Sequence, residues 1–240
     1  MKTYKSFYNG ALFVERYIIS ALIIYFTFKN IAFLSSHSVE IYNFVKKIIS
    51  GKEVLAEMFF ISTALRVILS TIFNLLVAGK LILRKKPYEK PDRLREISIP
   101  LVGVYFPLLY NFIQYLPQKY NHILAPVNIL FPLLFIGLFF CIVGLLITII
   151  SIFNMKNSFS IFIEVGDIVR NGMYRYMRHP IYFGYFISWV GLCLIRARLH
   201  TVIFAAMYIA ILIIRARMEE EKLIKHSLEY RTYQRKTPFF

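Results

Sequence analysis

Cysteine is almost absent from this chain: Cys141 and Cys193 are the only two in 240 residues. Each lies inside an apolar segment with no partner at metal-site spacing, so both read as lone buried thiols rather than ligands. Acidic residues are scarce as well, 13 against 29 lysines and arginines, for a net charge of +16. That excess would suit a polyanion, but no basic-aromatic stripe or binding motif accompanies it, and nucleic acid is excluded as a partner. Internal repeats and low-complexity stretches are missing. The first apolar run, from about Ala11, lacks a small-residue cleavage site, carries Glu15 and Arg16 and exceeds a signal-peptide core, so it is expected to stay as a helix.

What the chain has instead is grease. Its apolar share of 58%, with 17% aromatics and a mean hydropathy of +0.58, exceeds the roughly 45–50% of ordinary soluble domains. Runs long enough for a hydrocarbon core of about 30 Å cover about 11–34, 55–83, 98–116 and 125–153. A further run over 181–214 is too long for one crossing and is interrupted by Arg196-Ala197-Arg198, which predicts two short helices joined at a charged tip. The expected fold is an all-α, polytopic integral membrane bundle of about six transmembrane helices, including a short C-terminal hairpin, plus a cytoplasmic C-terminal helix over Arg215–Lys236.

Sidedness follows from the loops. Arg84–Glu96 holds six Lys or Arg residues with Pro87 and Pro91, whereas Pro117–Leu124 holds only Lys119; the first is expected inside and the second outside. Counting crossings puts the amino terminus inside, the 35–54 loop outside and Asn154–Pro180 inside. With 181–214 as a hairpin, the tail returns inside too. Residues 1–97 then form N-terminal helices with a basic linker, and 98–240 a core carrying a cytoplasmic site.

Two segments at that face carry chemistry. In Gly172-Met173-Tyr174-Arg175-Tyr176-Met177-Arg178-His179-Pro180-Ile181-Tyr182-Phe183-Gly184, Pro180 suits the first turn of a helix and sets His179 near its cap. Open amides there, with Arg175 and Arg178, favour an anionic group. Gly172 follows Asn171 as a turn signal, and Gly184 permits close approach of a helix or ligand. The plainer alternative is a set of interfacial anchors with belt tyrosines. The second segment is Arg217-Met218-Glu219-Glu220-Glu221, where Arg217 and Glu220 are three apart and share a face. It reads either as a solvated helix paired to Lys222 and Lys225 or as a cation-binding wall. Arg66, inside the second run, is the other charge in an apolar setting.

Gly172–Gly184, the hairpin and Arg217–Glu221, with Glu229-Tyr230-Arg231-Thr232-Tyr233 and Thr237-Pro238 after them, resemble the isoprenylcysteine carboxyl methyltransferase family and the related phospholipid methyltransferases. The likeness covers about 125–240, leaving the first two spans as an addition. It implies S-adenosylmethionine bound at the cytoplasmic face, with His179, Tyr182 and Glu220 at matching positions. Gly172, Tyr174 and Arg178 complete the expected cofactor site, with Tyr174 or Tyr176 stacking on adenine, Arg178 on the methionine carboxylate and Glu220 on its amine. The acceptor is expected to be a lipidic or prenylated small molecule reached from the bilayer, gripped by Arg217. Were it an amine, as for phospholipid methylation, Glu219 or Glu221 is the candidate base; no metal is expected. The chain departs from many members in having His226-Ser227 where they have Phe-Gly, and a spacing about one residue shorter.

Two other readings stay open. Arg-His-Pro-x-Tyr also occurs in membrane sterol reductases, whose NADPH would need Arg170, Arg175, Arg178 and Arg231; the glutamate run suits a cation better. A lipid-binding scaffold without chemistry is the non-enzymatic alternative.

Overall fold

The computed structural model describes residues 19–37, 55–83, 87–113, 127–155 and 158–240, with isolated residues at 10, 13, 17, 39, 43 and 85. The loops expected outside, 35–54 and 117–124, fall largely or wholly beyond these residues. The described chain is all-α: α1 (Ser20–Ser36), α2 (Leu55–Leu83), α3 (Arg95–Ile113), α4 (Val127–Asn154), α5 (Pro180–Arg196), α6 (Leu199–His226) and α7 (Leu228–Lys236), with a 3-10 turn at Gly172–Arg175. Extended pairing among the described residues amounts to an isolated antiparallel bridge between Glu89 and Val165.

The break expected within 181–214 is present. Ala197 closes α5 in the left-handed region at φ 47°, and its N–H donates to the Cys193 carbonyl at 2.8 Å. The tail differs from expectation. Helix α6 runs unbroken through Arg215 to His226, and a separate α7 begins only after Ser227, whose hydroxyl accepts from the Tyr230 N–H. Serine suits this cap because its oxygen satisfies an amide with no helical partner.

Helices α4 and α5 pack most intimately, along small residues. A Cβ on Gly184 would strike the Thr148 hydroxyl and the Gly144 carbonyl, and one on Gly144 would strike Ser188 and the Gly184 carbonyl. Such close backbone approach is how apolar helices associate where no hydrophobic drive separates them from their surroundings. An aromatic cluster binds α3, α5 and α6: Phe106 stacks on Phe204 at 4.2 Å between centroids, and Tyr110 meets Trp189 edge-on at 5.5 Å. The Tyr110 hydroxyl is satisfied by Thr201 at 2.9 Å.

The outer faces are apolar. Pro132–Asn154 and Leu199–His226 are long and apolar enough to cross a membrane, and only 28% and 39% of their apolar windows is buried inside the protein. Phe139, Phe153, Leu75 and Ile203 are all more than half exposed. A water-soluble core helix would be covered on most sides. The all-α architecture thus stands, with two helices of spanning character rather than six demonstrated crossings. Arg66 falls within α2, and its side chain lies outside the described ones.

At one end of the bundle the basic linker and the loop before α5 meet. The Tyr88 N–H donates to the Val165 carbonyl at 2.8 Å, Val165 N–H to Glu89 at 3.0 Å, and the Tyr88 hydroxyl to Asp167 at 2.6 Å. Lys222 of α6, 4% exposed, reaches into the same junction and donates to the Lys90 carbonyl at 2.7 Å, to Asp92 at 3.2 Å and to buried Glu96. A buried ammonium needs such multiple partners to offset its lost hydration.

Candidate functional site

Proline at the first position of α5 fixes the approach of its entrance: His179 is the N-cap residue, with φ −123° and ψ 55°. Its backbone and that of Arg178 are held by the tail, through Arg178 N–H to the Pro238 carbonyl at 3.0 Å and His179 N–H to Phe239 at 3.4 Å. Because Phe183 N–H already donates to His179, the Ile181 and Tyr182 amides are the ones left without a helical acceptor. The His179 ring lies parallel to Tyr182 at 5.5 Å and tilted against Phe239 at 4.7 Å. Upstream, Gly172 turns the chain at φ 59°, where a side chain would collide with Asn154.

The glutamate run distributes itself by helical phase, each residue about 100° from the last. Glu219 accepts from the Tyr182 hydroxyl at 2.5 Å and from Arg215 Nε at 3.0 Å. Glu220 is 2.9 Å from Arg178 Nε and 3.0 Å from His179 Nε2, and accepts from Gln234 at 3.2 Å. The Arg178 N–H is not aligned on that oxygen, so this contact is an ion pair without a formal hydrogen bond; its Nη1 donates to the Gln234 carbonyl at 3.0 Å. Glu221 faces outward to Lys225 at 2.9 Å, with Arg93 and Arg95 just under 4 Å away.

A cavity of about 600 Å³ opens between these groups. Arg178, His179, Tyr182, Arg215 and Glu219 line one end, with Glu164 and Asp167 from the preceding loop, while the rest is walled by apolar and aromatic side chains such as Phe73, Trp189, Tyr208 and Leu212. Tyr174, Tyr230 and Tyr233 also line it. Burial, with the nearby charge of Glu219, pushes the Tyr174 hydroxyl well up, and burial takes Tyr233 to about 12, so both stay neutral phenols at ordinary pH. The Tyr233 hydroxyl donates to the Tyr174 carbonyl at 2.6 Å, joining the tail helix to the 3-10 turn.

Of the residues singled out in the sequence, Tyr174, Arg178, His179 and Tyr182 border the cavity and Glu220 stands directly behind two of them. Tyr176 is 67% exposed and points away. Arg217 and Glu221 lie on exposed faces of α6 and do not border the cavity; the α6 guanidinium that does is that of Arg215, which also donates to the Ile161 carbonyl at 2.7 Å. Arg215 escaped the reading of the sequence, although its i, i+4 spacing to Glu219 was available as a signal; Glu219 entered that reading only as a candidate base for an amine acceptor.

Chemically, the polar end can hold a ligand carrying both charge signs. Two guanidiniums are balanced there by three carboxylates, and the apolar walls suit a hydrophobic body. No curated protein matches the chain. Over residues 107–237, more than half its length and all of the polar end contributed by α5 and α6, the sequence matches the family described as Protein of unknown function (DUF1295), and the chain belongs to that family.

Proposed function

We propose that the protein is a multi-pass membrane enzyme that transfers a methyl group from S-adenosylmethionine to a lipidic acceptor at the cytoplasmic face. One observation carries the reading: a single cavity joins a polar end of mixed charge, at the start of α5, to an apolar body between helices. The cofactor supplies an electrophilic methyl on a sulfonium. In the chain, the free Ile181 and Tyr182 amides with Arg178 suit a carboxylate, Glu219 suits an amine or the sulfonium, and Tyr174 offers an aromatic face. Arg215 is the group to grip an acidic acceptor head. Catalysis would come mainly from orientation and from excluding water as opposite charges neutralise. The acidic acceptor class, isoprenylcysteine-like, is favoured over a phospholipid amine, because Glu219 is already engaged by Arg215 and Tyr182 and is poorly disposed as a base.

Sidedness on this reading follows from composition. The basic linker, the 158–180 loop and α7 share one end, as cytoplasmic segments should, with six crossings in all. Nicotinamide reduction is the competing reading. It needs several basic groups on a polyanion, yet of Arg170, Arg175, Arg178 and Arg231 only Arg178 borders the cavity, beside Glu164, Asp167 and Glu219.

The test is equilibrium binding of S-adenosylhomocysteine and of NADP to detergent-purified protein. Micromolar S-adenosylhomocysteine binding with no comparable NADP binding is expected; preferential NADP binding overturns the proposal, and binding of neither favours a scaffold.

A further inference from the structure

We infer that the face of the cavity built by α1 and α2 is a second recognition element that selects an amphiphile bearing an uncharged hydrogen-bonding group part-way along its apolar body. The inference deepens the reading above, taking the lipidic acceptor as the ligand and naming the feature by which it is chosen.

Three polar side chains on these two helices, Asn30, Ser70 and Asn74, also line the cavity. They come from helices that are otherwise strongly apolar. Asn30 and Ser70 partly satisfy each other at a long 3.4 Å. Asn74 has no hydrogen-bond partner among the described residues. It lies nine residues before the end of α2, about 13 Å along the axis at the helical rise, where water is scarce if α2 spans a bilayer. Asn74 is partly exposed along the cavity rather than buried in protein, so its carboxamide is available to a ligand, and polar groups retained in such apolar helices usually meet a ligand or a partner.

The chemistry of the group narrows the ligand. A carboxamide offers one acceptor oxygen and two donor hydrogens, which a hydroxyl can satisfy in both senses and a carbonyl or amide in part. A charged group is disfavoured, because Ile19, Ile23, Phe73 and Val77 form the neighbouring lining. The nearest cation on the same helix, Lys80, lies over the Phe153 ring at 5.9 Å. Phe73 meets Tyr185 edge-on at 6.3 Å, so the apolar middle of the cavity links α2 to the helix that carries Tyr182. A chain with its head at Arg215 would extend past this pair toward Asn74.

The single tryptophan of the chain, Trp189, lines the same cavity and provides the readout. With full-length protein in detergent and no cofactor, dibromostearate should quench Trp189, and stearate or its mid-chain hydroxyl derivative should displace it. The expected result is displacement by the hydroxylated acid at about tenfold lower concentration, a typical yield of one well-made hydrogen bond in a dry site, with the preference abolished in Asn74→Leu. Should Asn74→Leu not fold, Asn74→Ala removes the carboxamide without adding bulk. Equal displacement in the wild type, a preference surviving in either variant, or no quenching at all overturns the inference. Because this assay contains no methyl donor, selective lipid binding without S-adenosylhomocysteine binding would sink the methyltransferase reading alone, and the reverse result would sink the lipid subsite alone.

Discussion

Glu219 and Glu220 are neighbours in the chain but serve opposite sides of the α5–α6 junction: Glu219 borders the cavity under the Tyr182 hydroxyl, while Glu220 stands outside it and anchors Arg178 and His179. Substituting them should therefore give different defects. On the proposed reading Glu219→Gln is expected to weaken S-adenosylhomocysteine binding at least about tenfold, since one charge-assisted contact contributes roughly 1.5–3 kcal/mol, and to lower the melting temperature as well, because Arg215 is left beside a neutral partner; loss of binding is the defect that sets it apart. Glu220→Gln leaves Arg178 buried beside a neutral partner and should destabilise the protein by about 3 kcal/mol. Calorimetric titration and thermal unfolding of the two variants separate the effects; matching profiles would refute the division.

Arg215 and Arg217 offer a second contrast. If the proposed methyl transfer is the activity, Arg217→Ala, on an exposed face, should leave stability and labelled-methyl transfer to lipid extracts within about twofold of wild type, as surface changes usually do. Arg215→Ala removes the guanidinium shared by Glu219 and the Ile161 carbonyl and should abolish transfer. A large loss in Arg217→Ala would return the acceptor role to that residue.

Lys222 and Glu96 form a buried pair linking α6 to the start of α3. Lys222→Met strands the Glu96 carboxylate and should cost about 3–5 kcal/mol, whereas Lys222→Met with Glu96→Leu should recover most of it, because an apolar pair of similar volume is no worse than the ion pair it replaces. Thermal midpoints of the single and double variants decide the point; a double variant no better than the single would contradict it.

The same junction predicts a pH response. Hydrogen bonding with Glu96, helped by Lys222, holds the Asp92 carboxyl down at about 2. A depressed folded-state value contributes stability that is complete above the ordinary carboxylate range and disappears as pH falls through the folded value. Asp92→Asn should therefore melt below wild type at about pH 6, and the gap should close between about pH 4 and pH 2. A difference independent of pH would exclude this origin.

At the α4–α5 contact, Gly184→Val forces a side chain into Thr148 and the Gly144 backbone. Separation of the helices should follow, read as loss of the monodisperse peak in size-exclusion chromatography and a melting point several degrees lower. Unchanged behaviour would mean that the close approach is dispensable.

Much of this arrangement is legible in the residues. Arg196-Ala197-Arg198 gives away the tip between α5 and α6, and Pro180 gives away the start of α5 with His179 at its cap. Those two features bring the Arg-His-Pro and glutamate segments together. Which glutamate faces inward is not legible, because that phase is set by packing of α6 from Leu199 onward: Arg215 and Arg217, two residues apart, differ by about 200° around the axis. The continuity of α6 past Arg215 was hidden for a related reason. Charge marks where a helix leaves an apolar setting, whereas its end is set by the Ser227 cap.

The pairing of Pro238 and Phe239 with Arg178 and His179 has a bearing on biogenesis. The entrance of α5 receives its last two backbone partners from residues some 60 positions later in the chain. During synthesis α5 and α6 would already be formed while the loop before Pro180 still lacked its clasp, so the cavity reaches its working shape only after residue 239 has left the ribosome.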